Sequence, residues 1–300
     1  MRQKALYATV LLSFAAGVST ILSLPRSPPL LEKQYFFTVG AIFKNEAAIM
    51  HEWISHYLLE GADHIYLVDN GSSDEYETIV QPFIDRGQVT LMLNSKRHAQ
   101  QEILHNYFLP LRLLSEWMLA VDLDEFMYAR SGTITEILRQ VPEQVASVRV
   151  PWKMYGSSGH KQQPPGSVVR GFVRRNDSGF NKGRKAFFRS SATSVIHTHD
   201  AEVDGITVTL QIGNVCVNDL NCIRASQAKK LLNSTSLQLN HYAIQSLQWF
   251  VNTKMSRGDI ASEDAENVRD FSYFDRYEAA SNEIEDKDLY LKHKAFYDSL

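Results

Sequence analysis

Cysteine is nearly missing from this chain. Its 300 residues hold two, Cys216 and Cys222, close together in a polar segment. Two are too few for a cysteine-built zinc site or a disulfide-dense scaffold. An excess of one charge is missing as well: 31 basic residues face 34 acidic ones, for a formal net charge of −3. That balance gives no reason to expect nucleic acid as a partner. No G-x-G-x-x-G follows the first apolar run and no G-x-x-x-x-G-K-[ST] occurs, which counts against a dinucleotide enzyme and a P-loop NTPase. The G-x-S-x-G of an α/β-hydrolase is absent too. What remains, 44% hydrophobic and 22% charged residues, is ordinary globular composition with enough chain for a sizeable core.

The N-terminus reads as a separate unit. Arg2 and Lys4 precede an apolar stretch from Ala5 to Leu24, closed by Pro25. Its length matches the roughly 20 residues that span a bilayer as a helix, although Ser13, Ser19, Thr20 and Ser23 dilute it. Positive charge before it favours a cytoplasmic N-terminus and a lumenal body, the layout of a single-pass type II protein in the Golgi or elsewhere in the secretory pathway. Small residues around Ala15 to Ser19 equally allow a cleaved signal peptide and a secreted product. Residues 1–24 are therefore read as signal-anchor or signal peptide, and 25–34 as a stiff proline-containing linker. In an oxidising lumen Cys216 and Cys222 could close a small loop. The sequons at Asn176 and Asn233 are consistent with that compartment.

Beyond the linker, apolar β-rich runs alternate with helical periodicity. Tyr35 to Phe43 is a strand ending at Lys44-Asn45-Glu46. Ile49, Trp53, Ile54, Tyr57 and Leu58 recur at helical spacing, and Gly61 closes that helix. His64 to Val68 is the second strand, running into Asp69-Asn70-Gly71-Ser72-Ser73-Asp74. A helix over Glu75 to Arg86, a third strand over Val89 to Leu93, an amphipathic helix over Gln100 to Glu116 interrupted at Pro110, and a fourth strand over Leu119 to Leu123 follow. This order predicts an α/β fold with a mainly parallel, doubly wound sheet flanked by helices. In such sheets ligands sit outside the carboxyl ends of the strands, where Lys44 to Glu46, Asp69 to Asp74 and Asp122 to Glu125 all fall.

The last of these clusters is the sharpest. In Trp117-Met118-Leu119-Ala120-Val121-Asp122-Leu123-Asp124-Glu125-Phe126 an apolar run ends in three carboxylates within four positions. Buried charge is expensive unless it is paired or binds metal. Asp122 and Asp124 at a strand end suit a hard divalent ion that also holds phosphate oxygens; a solvated strand end would carry the same residues. Arg170 to Lys185 is locally basic and could face an anionic ligand such as a diphosphate, or form a solvated loop.

The ordered set FKNE, EWISHY, GADHIYLVDNGSSD and WMLAVDLDEF resembles glycosyltransferases of the GT-A fold, in the family 2-like and family 92 group. Pro151 to His160, Lys185 to Arg189 with His199 after it, and Asn240-His241-Tyr242 with Ser246, Phe250, Lys254, Arg257 and Gly258 extend the resemblance over residues 36 to 258. Gln245 departs from it, because the group often carries a basic residue there, and the segment around the cysteines matches nothing in it. The resemblance implies a GT-A domain over 35–260 that moves a sugar from a nucleotide-sugar to a glycan or glycoprotein acceptor. Its animal family 92 members point to galactose.

The same resemblance implies the roles. Asp122 and Asp124 would hold a divalent metal, with manganese suited to a set of carboxylate, imidazole and phosphate oxygen. His241 is the first candidate for that partner and His199 the second. Asn45, Glu46, Asp69, Asn70 and Lys185 would line the donor, with Glu125 orienting the aspartates. Trp152, Tyr155 and Gly156 would meet the acceptor, since aromatic faces stack on sugar rings and glycine admits close backbone approach. Asp200, Glu202 and Asp204 lie in the right part of the chain for a general base, and no motif selects one. The alternative is an inactive GT-A domain that binds glycans or partners. Residues 261–300 read as a helical extension packed back on the domain through Phe271, Tyr273, Phe274 and Tyr277.

Overall fold

The computed structural model describes residues 33–177, 183–211, 214–217, 221–224, 236–256 and 269–300. The expected N-terminal helix lies outside them. Among the described residues no helix is long and apolar enough to cross a membrane.

The β-rich run at the start forms β1 (Tyr35–Phe43), whose last seven residues are all buried. Such a strand needs partners on both edges, and it has them: β2 (His64–Asp69) and β4 (Ser115–Ala120) both run parallel to it. β3 (Val89–Leu93) adds in parallel beside β2. Between them lie α1 (Ala47–Leu59) and α2 (Tyr76–Asp85). The Asp74 carboxylate accepts from Ala47 N–H at 2.8 Å, so the second loop caps the first helix.

The helix expected over Gln100 to Glu116 is broken into pieces. α3 (Gln100–Ile103) widens into a π turn at Leu104–Phe108, continues as α4 (Leu109–Leu111) and ends in a 3-10 turn at Arg112–Leu114. Pro110 has no N–H to give the previous turn, and a widened turn accommodates that gap. β4 therefore begins at Ser115, earlier than the expected Leu119, and ends at Ala120. Asp122 and Asp124 sit in the turn between β4 and β5 (Glu125–Ala129).

The second half of the sheet corrects the expectation of mainly parallel pairing. After α5 (Ile134–Leu138) come β6 (Val145–Met154), α6 (Val168–Gly171), β7 (Arg174–Arg175) and β8 (Arg184–Arg189). β8 lies between β4 and β6, antiparallel to both. β9 (Thr193–Ile196) and β10 (Ala201–Val203) make a small hairpin. β11 (Ile206–Gln211) runs parallel to β6, and β12 (Asn214–Val217) and β13 (Asn221–Arg224) extend that edge antiparallel. The order among the described residues is β13-β12-β11-β6-β8-β4-β1-β2-β3, a mixed sheet. β14 (Leu237–His241) joins β5 antiparallel to the end of β6 in parallel. Parallel neighbours need a long crossover, usually helical, whereas antiparallel neighbours do not.

Cys216 and Cys222 are paired in register across β12 and β13, and Cys216 is disulfide-bonded. The sequon at Asn176 does not suit a glycan, because that residue is buried and its side-chain oxygen accepts from Met154 N–H at 3.1 Å. Asn233 lies outside the described residues.

The C-terminal segment packs on the domain. After α7 (Leu247–Trp249) and a π turn at Phe250–Met255, α8 (Phe271–Ala280) buries Tyr273 and Phe274 against Trp249 and Phe250, while Phe271 stays exposed. β15 (Ile284–Glu285) pairs with β7, and α9 (Asp288–Lys292) and α10 (Lys294–Ser299) follow. Glu60, at the end of α1, is fully buried. It is paired with Lys292, accepts from His293 at 2.7 Å and takes Ala129 N–H at 3.1 Å.

Glu60→Ala should therefore destabilise the fold by about 3 kcal/mol in chemical denaturation, since a buried ion pair loses one member. Burial alone would raise the Glu60 carboxyl, yet His293 and Lys292 hold it below the ordinary carboxylate range. Its contribution is present above the unfolded-state value near ~4.3 and is lost as pH falls through the lower folded value. A wild-type stability curve as flat as that of Glu60→Gln through this acid range would contradict the pairing.

Candidate active site

The turn after β4 places three carboxylates against two ammonium groups. Lys185, on β8, donates to Asp122 Oδ2 at 3.1 Å and to the Thr198 carbonyl at 2.8 Å, and lies 3.4 Å from Glu125 Oε2. Lys254 pairs with Asp124 Oδ2, and His241 Nε2 stands 3.4 Å from Asp124 Oδ1. The side chains of Lys185, Glu125 and Asp124 are at most 3% exposed, whereas that of Asp122 is 38% exposed. Asp122 is thus the carboxylate that solvent or a ligand can reach. It lines a cleft with Lys185, Thr198, Gln100 and Gly40 to Ile42.

Electrostatics follow the packing. Desolvation would raise Asp122, but Lys185 holds its carboxyl below the usual range. Desolvation opposes ionisation of Asp124 too, and Lys254 and His241 overcome it, leaving that carboxyl well below its ordinary value. Glu125 has no such surplus: burial pushes it up to about 8, against the pull of Lys185. Burial lowers His241 and takes His199 down to about 4, so both imidazoles are neutral at pH 7.

His241 bears on whether a cation fits. Its Nδ1 is buried with no partner among the described residues. A neutral ring carries one proton. If that proton is on Nε2, Nδ1 is an unspent lone pair; if it is on Nδ1, the Nε2 lone pair faces a carboxylate oxygen. Either arrangement leaves ligating capacity beside Asp124. No group of three His, Cys, Asp or Glu side chains is placed to hold a metal among the described residues. A fit therefore rests on two protein donors, Asp124 and His241, with ligand oxygens completing the sphere, as is common for cations bound with phosphates. His199 does not contact the aspartates directly; its ring meets Trp152 edge-on at 5.3 Å, and the His241 ring lies 4.5 Å away on the same Trp152.

The other expected site residues divide. Asn45 and Asp69 sit together at the ends of β1 and β2. Asn45 Oδ1 accepts from Ser73 N–H at 2.7 Å, and Asp69 Oδ1 from Ser72 N–H at 2.8 Å. Glu46 is buried at the start of α1. Asn70 is a structural clamp, giving its amide to the carbonyls of Asn94 and Lys96 at 2.6 and 2.8 Å. Trp152 is half-buried beside the histidines. Tyr155 and Gly156 are not: Tyr155 is 1% exposed and packs on Tyr242, and Gly156 N–H donates to Arg174 and Ser281 carbonyls. An acceptor platform at those two positions is corrected by their burial, because they anchor the C-terminal segment. The basic run is mostly spent as well: Arg174 bonds Asn282 and Glu283 carbonyls, Arg175 bonds Asp286, and Arg184 bonds Asp200. Among its described residues Lys185 is the member that reaches Asp122.

Lys254 was not among the expected ligand-binding residues. Ser246, Phe250 and Lys254 recur every fourth residue, which puts them on one helix face and was the available signal.

The profile of Glycosyltransferase family 92 matches residues 33–270. The chain belongs to glycosyltransferase family 92. A family 92 protein of Ricinus communis is 25% identical over 154 residues, covering 48% of this chain and 27% of the relative. One from Oryza sativa subsp. japonica is 26% identical over 170 residues, covering 53% and 29%. The family 92 chain thus spans under a third of the length of these curated relatives. Among solved structures, TarS of S. aureus in complex with UDP has a TM-score of 0.33 at 16% identity, covering 52% of this chain and 47% of that one. Glucosyl-3-phosphoglycerate synthase from Mycobacterium tuberculosis, solved with Mn2+, UDP and glucosyl-3-phosphoglycerate, has a TM-score of 0.29 at 11% identity, covering 52% and 57%.

Gly183 tests the packing over the site. A Cβ there would lie 1.9 Å from the Trp152 ring, so Gly183→Ala must displace the indole. Overpacking of this kind costs about 1–3 kcal/mol. A fall in melting temperature with a shifted tryptophan emission is expected; an unchanged spectrum and melting temperature would show the indole is not seated there.

Proposed function

We propose that this chain transfers a sugar, with galactose the first candidate, from a nucleotide-sugar donor to a glycan acceptor. Family membership supports the reaction class. The observation that carries the site is the convergence of Asp122, Asp124, Lys185, Lys254 and His241 at the end of β4, with Asp122 open to the adjoining cleft.

The donor leaves as a nucleoside diphosphate, so negative charge grows on the diphosphate as the glycosidic bond breaks. Lys185 already stands beside the one partly exposed carboxylate, where it can turn from Asp122 toward a phosphate oxygen. Lys254 keeps Asp124 ionised in a buried place. A divalent cation, with manganese the best match to carboxylate, imidazole and phosphate oxygen, would be held by Asp124 and His241 and would offset the leaving group's charge when bound. Asn45 and Asp69 stand at the neighbouring strand ends, where the nucleoside of a donor would lie. The partly exposed Trp152 is the aromatic surface on the acceptor side. The type II lumenal setting belongs to the same reading, and the cross-strand cysteine pair is consistent with it.

The test is nucleotide release by the full chain from UDP-galactose and a panel of other UDP- and GDP-sugars, with manganese or with EDTA. Release from one donor, lost with EDTA and reduced at least about 100-fold in Asp124→Asn, is expected. His241→Ala should raise the manganese needed for half-maximal rate, and His199→Ala should leave it unchanged. Metal-independent nucleotide binding without turnover would favour the alternative, a binding domain in which the two lysines already neutralise both aspartates.

A further inference from the structure

One helix holds the backbone of the carboxylate turn. α1 carries the EWISHY segment, and three of its side chains within about one turn reach residues 122–127. Trp53 is fully buried, and its Nε1–H is shared between the carbonyls of Asp122 at 3.0 Å and Glu125 at 3.1 Å. Tyr57, also fully buried, donates its hydroxyl to the Glu125 carbonyl at 3.0 Å and accepts from Met127 N–H at 3.0 Å. His56 Nε2 lies 2.7 Å from the Met127 carbonyl, and its Nδ1 lies 2.9 Å from the Tyr297 hydroxyl.

These are the groups a neighbouring strand would satisfy. β5 pairs with β14 along one edge, and α1 covers the other. Spacing of i, i+3 and i+4 puts Trp53, Tyr57 and His56 on one helix face, so a rigid rod with three donors or acceptors stands in for a strand. Both ends of the turn are gripped at once. Trp53 ties the carbonyl of the first aspartate to that of Glu125, and Asp124 lies between them. The turn closes on itself through Glu125 N–H to the Asp122 carbonyl at 3.1 Å and Asp122 N–H to Glu125 Oε2 at 3.0 Å.

We infer that Trp53 and Tyr57 are positioning residues: they set the pitch of the turn and so the direction in which Asp122 and Asp124 present their carboxylates. This rests on the transferase reading of the site. The polar atoms of both side chains bond main-chain atoms of the turn, so each acts through the main chain. Strain or slack of a few tenths of an ångström at the carbonyls is passed to carboxylates two atoms further along a short, buried loop.

Trp53→Phe keeps an aromatic ring and deletes the shared donor; Tyr57→Phe deletes one oxygen and serves for the same comparison if the first does not fold. The readout is the affinity of the full chain for UDP across a manganese titration, with melting temperature and hydrogen exchange of residues 122–127 measured alongside. A folded variant whose metal-dependent UDP affinity falls about 10- to 100-fold, with more manganese needed for half-saturation and faster exchange in the turn, supports positioning. A folded variant with lower melting temperature but the wild-type affinity and manganese requirement overturns it, and leaves Trp53 as a packing residue only. If the wild type binds no nucleotide, the transferase reading fails. Exchange then decides the inference separately: unchanged protection at 122–127 in both variants overturns it.

Discussion

Burying charge at the end of a strand is the constraint that organises this molecule. The run from Trp117 to Val121 is almost wholly inside the sheet, and it delivers Asp124 and Glu125 into places with next to no solvent. An ionised carboxylate there is tolerable only with counter-charge and hydrogen bonds. Three distant parts of the chain supply them: β8 brings Lys185, β14 brings His241, and the helical segment after it brings Lys254. Glu125 receives less than it needs and is the carboxyl whose affinity for protons rises. The unequal treatment of three neighbouring acids separates a carboxylate that faces the cleft, one locked between lysine and histidine, and one buried as a support.

The surrounding architecture serves that cluster. β8 could not place Lys185 beside Asp122 unless it ran between β4 and β6, which is where the sheet departs from parallel pairing. The C-terminal segment reaches the same region from below: Lys292 and His293 meet Glu60, and Tyr297 meets His56, on the helix that grips the carboxylate turn. Glu278 holds the loop after Tyr155 through Ser157, at 3.0 Å to its N–H and 2.7 Å to its hydroxyl. A stretch that reads as an appendix in the sequence is thus part of the frame of the site.

Much of the first half was legible because local signals agreed. Tyr35 to Phe43 combined β-branched and aromatic residues without a helical period. The helix after it had its apolar spacing and a closing Gly61, which adopts φ of 90°. The region from Gln100 to Leu114 was harder, because its amphipathic period is genuine but Pro110 forces the helix to change pitch. Tyr155 and Gly156 misled for a different reason. An aromatic beside glycines looks the same in sequence whether it stacks on a sugar or fills a core, and only the arrival of Asn282 and Asp286 from the far end of the chain decided which.

The sequence by itself determined that an apolar strand ends in paired aspartates, that strands and helices alternate before it, and that the ordered motifs belong to one family of transferases. The first two are properties of near neighbours in the chain, where periodicity and turn chemistry act, and the third is the order of short motifs along it. Tertiary structure alone decided which partner each carboxylate receives: Lys185 for Asp122, Lys254 and His241 for Asp124, and the Trp53 indole for the turn's carbonyls. The two lysine pairings and the indole's join residues separated by 63, 130 and 69 positions. Coulomb attraction and desolvation depend on distance in space, and only the folded chain sets that distance.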